Sequence, residues 1–254
     1  MKRYFVVIIL CCFVVQLSEA QDIWKQRRIE ASGGLGITQF FGDIGGFSKG
    51  ENIIGIKDIS LLQTRYNIGV GAKYKILRDV NVRFNLAYGR FSASDKHGSN
   101  EGRGFEAKTT IIEPSLMGEY YFIKSDLGDS YLFNQGRSSR GGGLMSALEF
   151  YLFAGIGGLS YHVKENAKLA ATGLKNGGFA PVIPAGLGVN LLFQPEFNLG
   201  VELGGRYAFS DYLDGYTSQH SSSNDVYYFL NVTFTYKIRT NTKGIPFFLN
   251  KRRF

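Results

Sequence analysis

Residues 66–88, YNIGVGAKYKILRDVNVRFNLAY, decide the fold because two kinds of side chain alternate along them. The even positions from Tyr66 to Ile76 and from Val80 to Tyr88 are apolar, and the odd positions between them carry mostly charge, amide or glycine. Successive side chains of a strand point to opposite faces, so the stretch predicts a β-hairpin that turns at Arg78-Asp79. Each arm, of about ten residues, is long enough for a tilted strand to cross a bilayer.

Two architectures share this pattern, and the rest of the chain favours one of them. A soluble barrel or sandwich turns the apolar face inward, whereas a membrane barrel turns it toward lipid. The chain is rich in glycine and aromatic residues, with 33 Gly, 15 Tyr and 21 Phe, and it has no apolar run long enough for a membrane helix. This composition is typical of a membrane barrel. A soluble ligand-binding barrel stays a distant alternative.

The start of the chain predicts export. Lys2 and Arg3 precede an apolar core at 4–15, and small residues end the segment, so we expect a signal peptide with cleavage between Ala20 and Gln21. Both cysteines, Cys11 and Cys12, lie inside this signal. The mature chain therefore has no disulfide, no thiolate nucleophile and no cysteine-bound metal.

The fold class that follows is all-β, an eight-stranded antiparallel transmembrane up-and-down β-barrel. After the signal peptide (1–20), we expect a basic lead-in (21–28), the barrel (29–238) and a basic periplasmic tail (239–254). The predicted strands are 29–41, 66–76, 80–89, a fourth that ends at 122, 148–161, about 181–193, 197–209 and 226–238. Pro114 is unusual inside the fourth strand, because proline removes a ladder hydrogen bond. Long connections after odd strands and mostly short ones after even strands predict outer loops and periplasmic turns.

The polar faces predict a filled lumen. Inward cations are Arg65, Lys73, Lys75, Arg83 and Arg206, and inward anions are Glu30, Glu113, Glu119, Glu149 and Glu202. The lumen of an eight-stranded barrel is only wide enough to be filled by side chains, and buried charges must be paired. The balance of charge predicts a plugged interior and not a pore.

Three patterns invite a catalytic or binding interpretation. Glycine runs such as 33–36 sit inside strands and lack the following helix of a phosphate-binding loop. Ser160 and His162 could belong to a barrel hydrolase, but no carboxylate partner is evident. Asp211, Asp214 and Asp225 flank the last outer loop and could hold calcium, although turn formation explains them as well. We expect no cofactor, metal site or small-molecule substrate.

The basic periplasmic elements are candidates for docking. They comprise Arg137 and Arg140 in the connection after the fourth strand, and Lys243, Lys251, Arg252 and Arg253 in the tail. Such residues could bind an acidic partner surface, or they could form a solvated rim.

Several short motifs, in their order and spacing, resemble the PorG-like outer-membrane barrels of Bacteroidota. They are FFGDIGG at 40–46, IKDI at 56–59, Thr64-Arg65 leading into GVGAKY at 69–74, and FSDYLD at 209–214 after Glu202 and Arg206. The resemblance covers nearly the whole mature chain.

The resemblance implies a non-enzymatic component of the type IX secretion system, which exports proteins across the outer membrane. Its expected partners are outer-membrane lipid and the periplasmic ring built by the PorK lipoprotein and PorN, with no nucleic acid. Two alternatives stay open, namely an anchoring or adhesin-like barrel that acts through its outer loops, and a barrel hydrolase.

Overall fold

Eight antiparallel strands close into one barrel. The computed structural model describes residues 27–45, 61–97, 101–124, 147–172, 176–217, 224–241 and 245–246. The strands are β1 (Ile29–Phe41), β2 (Arg65–Lys75), β3 (Val80–Ser94), β4 (Glu106–Ile123), β5 (Leu148–Glu165), β6 (Gly177–Gln194), β7 (Phe197–Ala208) and β8 (Val226–Ile238). Each pairs with the next along the chain, and β8 pairs with β1. The predicted eight-stranded up-and-down barrel is confirmed.

Little of the described chain is helical. A four-residue helix α1 (Ala167–Ala170) follows β5, and short 3-10 turns occur at Leu61–Gln63 and Asp95–His97. None of the described helices has the length and hydropathy needed to cross a bilayer.

The barrel is apolar outside and charged inside. Leu35, Phe84 and Ile156 expose 68%, 52% and 69% of their surface on the exterior. Charged residues such as Lys73 and Glu119 are buried in the lumen. A soluble protein cannot leave such a broad apolar surface in water, whereas a bilayer solvates it. The arrangement is that of a transmembrane barrel. The soluble ligand-binding alternative fails because the apolar exterior would be left in water and ion-paired side chains occupy part of the interior.

Several strands extend further than the sequence pattern predicts. β5 continues to Glu165 and β6 begins at Gly177, because pairing persists beyond the apolar belt into the loop side. Pro114 lies inside β4, where it pairs with Leu86 of β3. Its missing N–H removes one ladder bond, and the neighbouring rungs keep the strand in place.

Neighbouring strands approach each other closely at two glycines, and closure of the barrel depends on this contact. On β1, a Cβ at Gly36 would lie 2.1 Å from the Leu230 carbonyl oxygen of β8. A Cβ at Gly155 would lie 2.1 Å from the Leu116 carbonyl oxygen. Any larger residue would push neighbouring strands apart at these positions.

Candidate functional site: a charged lumen beneath a capped mouth

The lumen brings together most of the predicted inward charges. Lys73, Arg83, Arg206, Glu30, Glu113, Glu119, Glu149 and Glu202 are all buried inside the barrel, with Lys75 beside them. These residues lie on six strands, β1 to β5 and β7, and their side chains meet because the interior is narrow. Ion pairs join Lys75 to Glu30 at 2.7 Å and Arg206 to Glu113 at 3.7 Å.

Glu119 of β4 is the centre of this network. Its Oε1 lies 3.0 Å from Lys73 Nζ and 3.1 Å from Arg83 Nε. Its Oε2 accepts hydrogen bonds from Asn81 Nδ2 and the Tyr121 hydroxyl, both at 3.2 Å. One carboxylate therefore contacts a cation from β2 and a cation from β3.

Arg83 links the network to the opposite wall of the barrel. Its guanidinium also pairs with Glu202 of β7, and it lies 5.1 Å from the centre of the Phe153 ring. The Tyr151 hydroxyl donates to the same Glu202 oxygen. Because these contacts span the lumen, they hold opposite sides of the barrel at a fixed separation.

The turn-side end of the lumen contains a cation that sequence reasoning missed. Lys237 of β8 is buried and interacts electrostatically with Glu30 and Glu149. Its neighbours Tyr236 and Ile238 point outward, so the alternation along β8 could have identified Lys237 as an inward cation.

Arg65 is a correction to the predicted lumen network. As the first residue of β2 it lies at the loop-side rim and is only half-buried. Its guanidinium donates to the Leu62 and Thr64 carbonyl oxygens at 3.0 and 2.7 Å, and to Ser92 Oγ at 3.0 Å. At a strand end the side chain reaches loop carbonyls instead of the interior.

An aromatic layer closes the lumen on the loop side. The Phe40 and Phe91 rings stack with centroids 5.2 Å apart, and the Phe91 and Tyr227 centroids are 4.9 Å apart.

The aromatic layer contacts the charged network directly, since the Tyr227 hydroxyl donates to Glu113 Oε2 at 2.6 Å. Arg206 lies 4.1 Å from the Phe229 ring centre. The apolar layer and the charged network are therefore continuous, and side chains occupy the barrel axis.

A small polar cavity of about 20 Å³ lies within the network, lined by residues that include Arg83, Glu202 and Asn231. The buried Oδ1 atom of Asn231 has no hydrogen-bond partner among the described residues. This space suits a single water molecule, which would satisfy that oxygen.

The outer loops form a cap over the aromatic layer. Asp95 is buried and accepts hydrogen bonds from the Gly45 and Phe105 backbone N–H groups at 3.0 and 3.2 Å. It pairs with Arg103 at 2.8 Å. The Arg103 guanidinium lies between the Phe105 and Tyr216 rings, 5.0 and 4.8 Å from their centres. Three loops, those after β1, β3 and β7, are thereby tied together.

Asp214 and Asp225 complete the cap. Asp214 accepts from the Ile44 and Tyr216 backbone N–H groups, each at 3.0 Å, and Asp225 accepts from Leu213 N–H at 2.9 Å. Burial raises the pKa of Asp214 to about 7, and burial together with the Asp214 carboxylate raises the pKa of Asp225 well above its usual range.

The geometry of the Asp211, Asp214 and Asp225 carboxylates favours turn formation over the calcium alternative. Among the described residues, no group of three acidic, histidine or cysteine side chains is placed to hold a metal ion. Asp211 contributes its charge to the pair and accepts a bond from the Thr217 hydroxyl. These carboxylates serve the turns of the last outer loop.

Ser160 and His162 lie on the outer face of β5. Both side chains are exposed, and Thr110 and Gly177 flank His162 on the neighbouring strands. Neither neighbour can orient a catalytic base. The hydrolase interpretation therefore has no geometric basis here.

The predicted docking and processing residues lie outside the described residues. They are Ala20, Gln21, Arg137, Arg140, Lys243, Lys251, Arg252 and Arg253. The described elements that flank these positions in the sequence, the end of β4, the start of β5 and the end of β8, lie at the turn-side end of the barrel.

Glu119→Gln tests the centre of the lumen network. The substitution keeps the shape but removes the ion-pair partner of Lys73 and one of the two partners of Arg83, so we expect a loss of about 3 kcal/mol in the free energy of unfolding. Urea unfolding in detergent micelles measures it. Glu106→Gln is the matched control, because its pair with Lys96 is exposed (68% and 37%) and should contribute less than about 1 kcal/mol. Equal losses for the two variants would contradict the network.

Asp214→Asn tests the cap. Since the folded pKa is raised, the stability that this carboxyl contributes is full below its ordinary pKa near 4 and is lost as pH rises through about 7. Hydrogen-exchange protection of the Ile44 and Tyr216 amides should therefore fall at least about tenfold between mildly acidic and mildly alkaline pH, after correction for intrinsic exchange. Asn keeps one acceptor and cannot ionise, so the variant should lose most of this pH dependence, whereas Asp79→Asn at the turn side should not. Hydrogen-exchange protection of these two amides that stays constant over this pH range in the wild type would contradict the raised pKa of Asp214.

Comparison with solved structures finds bacterial surface and outer-membrane proteins at low sequence identity and with TM-scores below 0.5. Neisserial surface protein A shares 12% identity over 83% of this chain and 97% of its own, with a TM-score of 0.44. OprG from Pseudomonas aeruginosa shares 12% over 86% and 100%, with a TM-score of 0.42. The E. coli outer membrane protein W shares 16% over 84% and 98%, with a TM-score of 0.39. Similarity at this level carries no information about function.

No curated protein sequence matches the chain. A family model described as "Domain of unknown function (DUF6089)" matches residues 3–243, which is nearly the full length. The capped and charge-filled barrel described above is therefore the architecture of a DUF6089 protein, and the chain belongs to that family.

Proposed function

We propose that the protein is a non-enzymatic outer-membrane subunit of the type IX secretion machinery that docks the periplasmic ring through its turn side. The observation that carries this proposal is the filled lumen. Glu119, Arg83 and Glu202 join opposite walls, and aromatic rings cover them, so the barrel has no room to pass a solute. A barrel with a closed interior acts through its two rims.

The assignment to the outer membrane rests on the predicted export signal and on the apolar exterior of the barrel. A chain with a signal sequence and an apolar barrel surface fits the outer membrane, where closed barrels are the usual spanning structure. Residues 40–45 and 209–214, which belong to two of the motifs that carry the resemblance to PorG-like barrels, lie at the aromatic layer and the cap. That resemblance supplies the specific partners, the PorK lipoprotein and PorN.

The described turn-side rim supports an acidic partner. Cations there are Arg27, Arg28, Arg78, Lys124 and Arg239, whereas the acidic residues are Asp79 and Glu196. Glu196 is already engaged, since it lies 3.0 Å from Arg27 and 2.8 Å from Arg239. The segments that contain Arg140 and Lys251 leave the barrel at this same end and add further positive charge. Complementary charge would steer and orient an acidic docking surface.

Photocrosslinking in intact cells tests the proposal. A photoreactive residue in place of Arg140 should capture the PorK lipoprotein, because the proposed contact lies on the turn side. The matched control is the same residue in place of Gly102, which is exposed in the loop after β3 and should not capture it. Failure to recover a ring component from Arg140 and from Lys251 would count against the secretion role.

A second candidate follows from the cap. Arg103, Asp95 and Asp214 hold three outer loops in one arrangement, as an anchoring or adhesin-like barrel would need for a fixed binding surface. Replacing residues 96–103 by a Gly/Ser linker would then abolish function, while deletion of 239–254 would leave it intact. The secretion proposal predicts the opposite result for the tail.

A further inference from the structure

One part of the barrel exterior is strongly basic at the loop side. Arg90 of β3, Thr110 of β4 and His162 of β5 share one rung of the sheet. Two residues closer to the loops, Lys108 of β4 lies directly opposite Lys164 of β5. The four basic side chains are exposed. Arg90, Lys108, His162 and Lys164 are together called the outer basic patch.

The pairing of Lys108 with Lys164 is unfavourable by itself. Residues directly opposite each other on antiparallel strands have Cβ atoms about 5 Å apart, and like charges at that distance destabilise the sheet. The nearby carboxylate of Glu106 is occupied, because it lies 2.7 Å from Lys96 Nζ. An anion seated between the two lysines would offset their repulsion.

The outer basic patch continues directly from the apolar belt. One rung toward the middle of the barrel, Tyr88, Ile112, Ser160 and Phe179 lie side by side on β3 to β6. Ile112 and Phe179 expose 50% and 71% of their surface. Adjacent rungs on one face are about 7 Å apart along a strand. A single amphiphile could therefore place its acyl chains on the belt and its headgroup on the patch.

The basic residues are confined to one side of the barrel. In the described part of β1, β6, β7 and β8, the outward positions near the loops are amide, apolar or aromatic, namely Gln39, Phe41, Phe179, Tyr207 and Tyr228. General anchoring at the membrane interface has no reason to favour one side. Concentration on β3 to β5 is what a specific headgroup site requires.

We propose that the outer basic patch binds the phosphate groups of a membrane lipid in the leaflet on the loop side. The guanidinium of Arg90 can bind one phosphate through two N–H groups, and Lys108 and Lys164 provide point charges for another. Arg90 is positioned by the Tyr66 ring, 5.6 Å from its guanidinium carbon, and by the Tyr88 hydroxyl at 3.4 Å. This site does not depend on the secretion role, since it follows from the transmembrane fold alone.

Lipid binding to the full-length purified barrel in neutral-headgroup nanodiscs tests the proposal. The probe is diphosphoryl lipid A, compared with the same lipid after removal of its phosphates. Lys108→Gln/Lys164→Gln should weaken binding of the phosphorylated lipid about 30-fold, since each cation near a membrane surface contributes about fivefold. The control Arg78→Gln/Arg239→Gln removes two exposed cations at the opposite, turn-side end of the barrel and should change affinity less than about twofold.

Three results would overturn the proposal. The first is equal affinity of the variant and the wild type, and the second is undiminished binding of the dephosphorylated lipid. The third is full displacement of the lipid by inorganic phosphate, which would indicate a simple anion site. A gel-mobility shift on heating verifies that each variant is folded.

Heat stability without phosphorylated lipid is a separate check. The Lys108/Lys164 variant should then be at least as heat-stable as wild type, because it removes a repulsion. Lower stability would show that the lysines serve the fold, which would contradict the proposal.

Discussion

The rest of the structure depends on the pairing of charges inside a narrow barrel. Eight strands enclose too little space to hydrate an ionised side chain, so each inward charge must find its partner within the lumen. Glu119 pairs with Lys73, Glu119 and Glu202 together pair with Arg83, and Glu113 pairs with Arg206. These contacts set the register of the strands, because a slip by one residue would turn the charges toward lipid.

The same constraint explains where function can reside. Ion pairs fill the described part of the axis and Phe40, Phe91 and Tyr227 cover them, an arrangement that stabilises the fold and favours function at the two ends. The two ends then differ in character. The loop side is a compact cap held by buried Asp95, whereas the described residues of the turn-side rim are mostly basic. The exterior adds a third surface, in which Lys108 and Lys164 face the membrane interface.

Alternation of residue types was enough to predict the strands and which face of each is polar. Periodicity of two is a local property, and it identified Glu30, Glu202 and Lys73 as inward residues without knowledge of their partners. The partners themselves could not be predicted, because Tyr227 and Glu113 are separated by 114 positions and meet only after closure. Strand ends were less predictable. Arg65 follows the inward period but bonds to loop carbonyls, and the cap depends on side-chain to backbone bonds that leave no periodic signal.

Electrical recording from the purified protein in planar bilayers tests the closed lumen most directly. We expect the wild-type barrel to insert without steady current above the bilayer leak in concentrated KCl, because side chains from Phe91 to Lys75 occupy the axis. Stable, ohmic current steps from the wild-type protein would contradict it. They would show an aqueous path through the charge network, and transport would then be a candidate function.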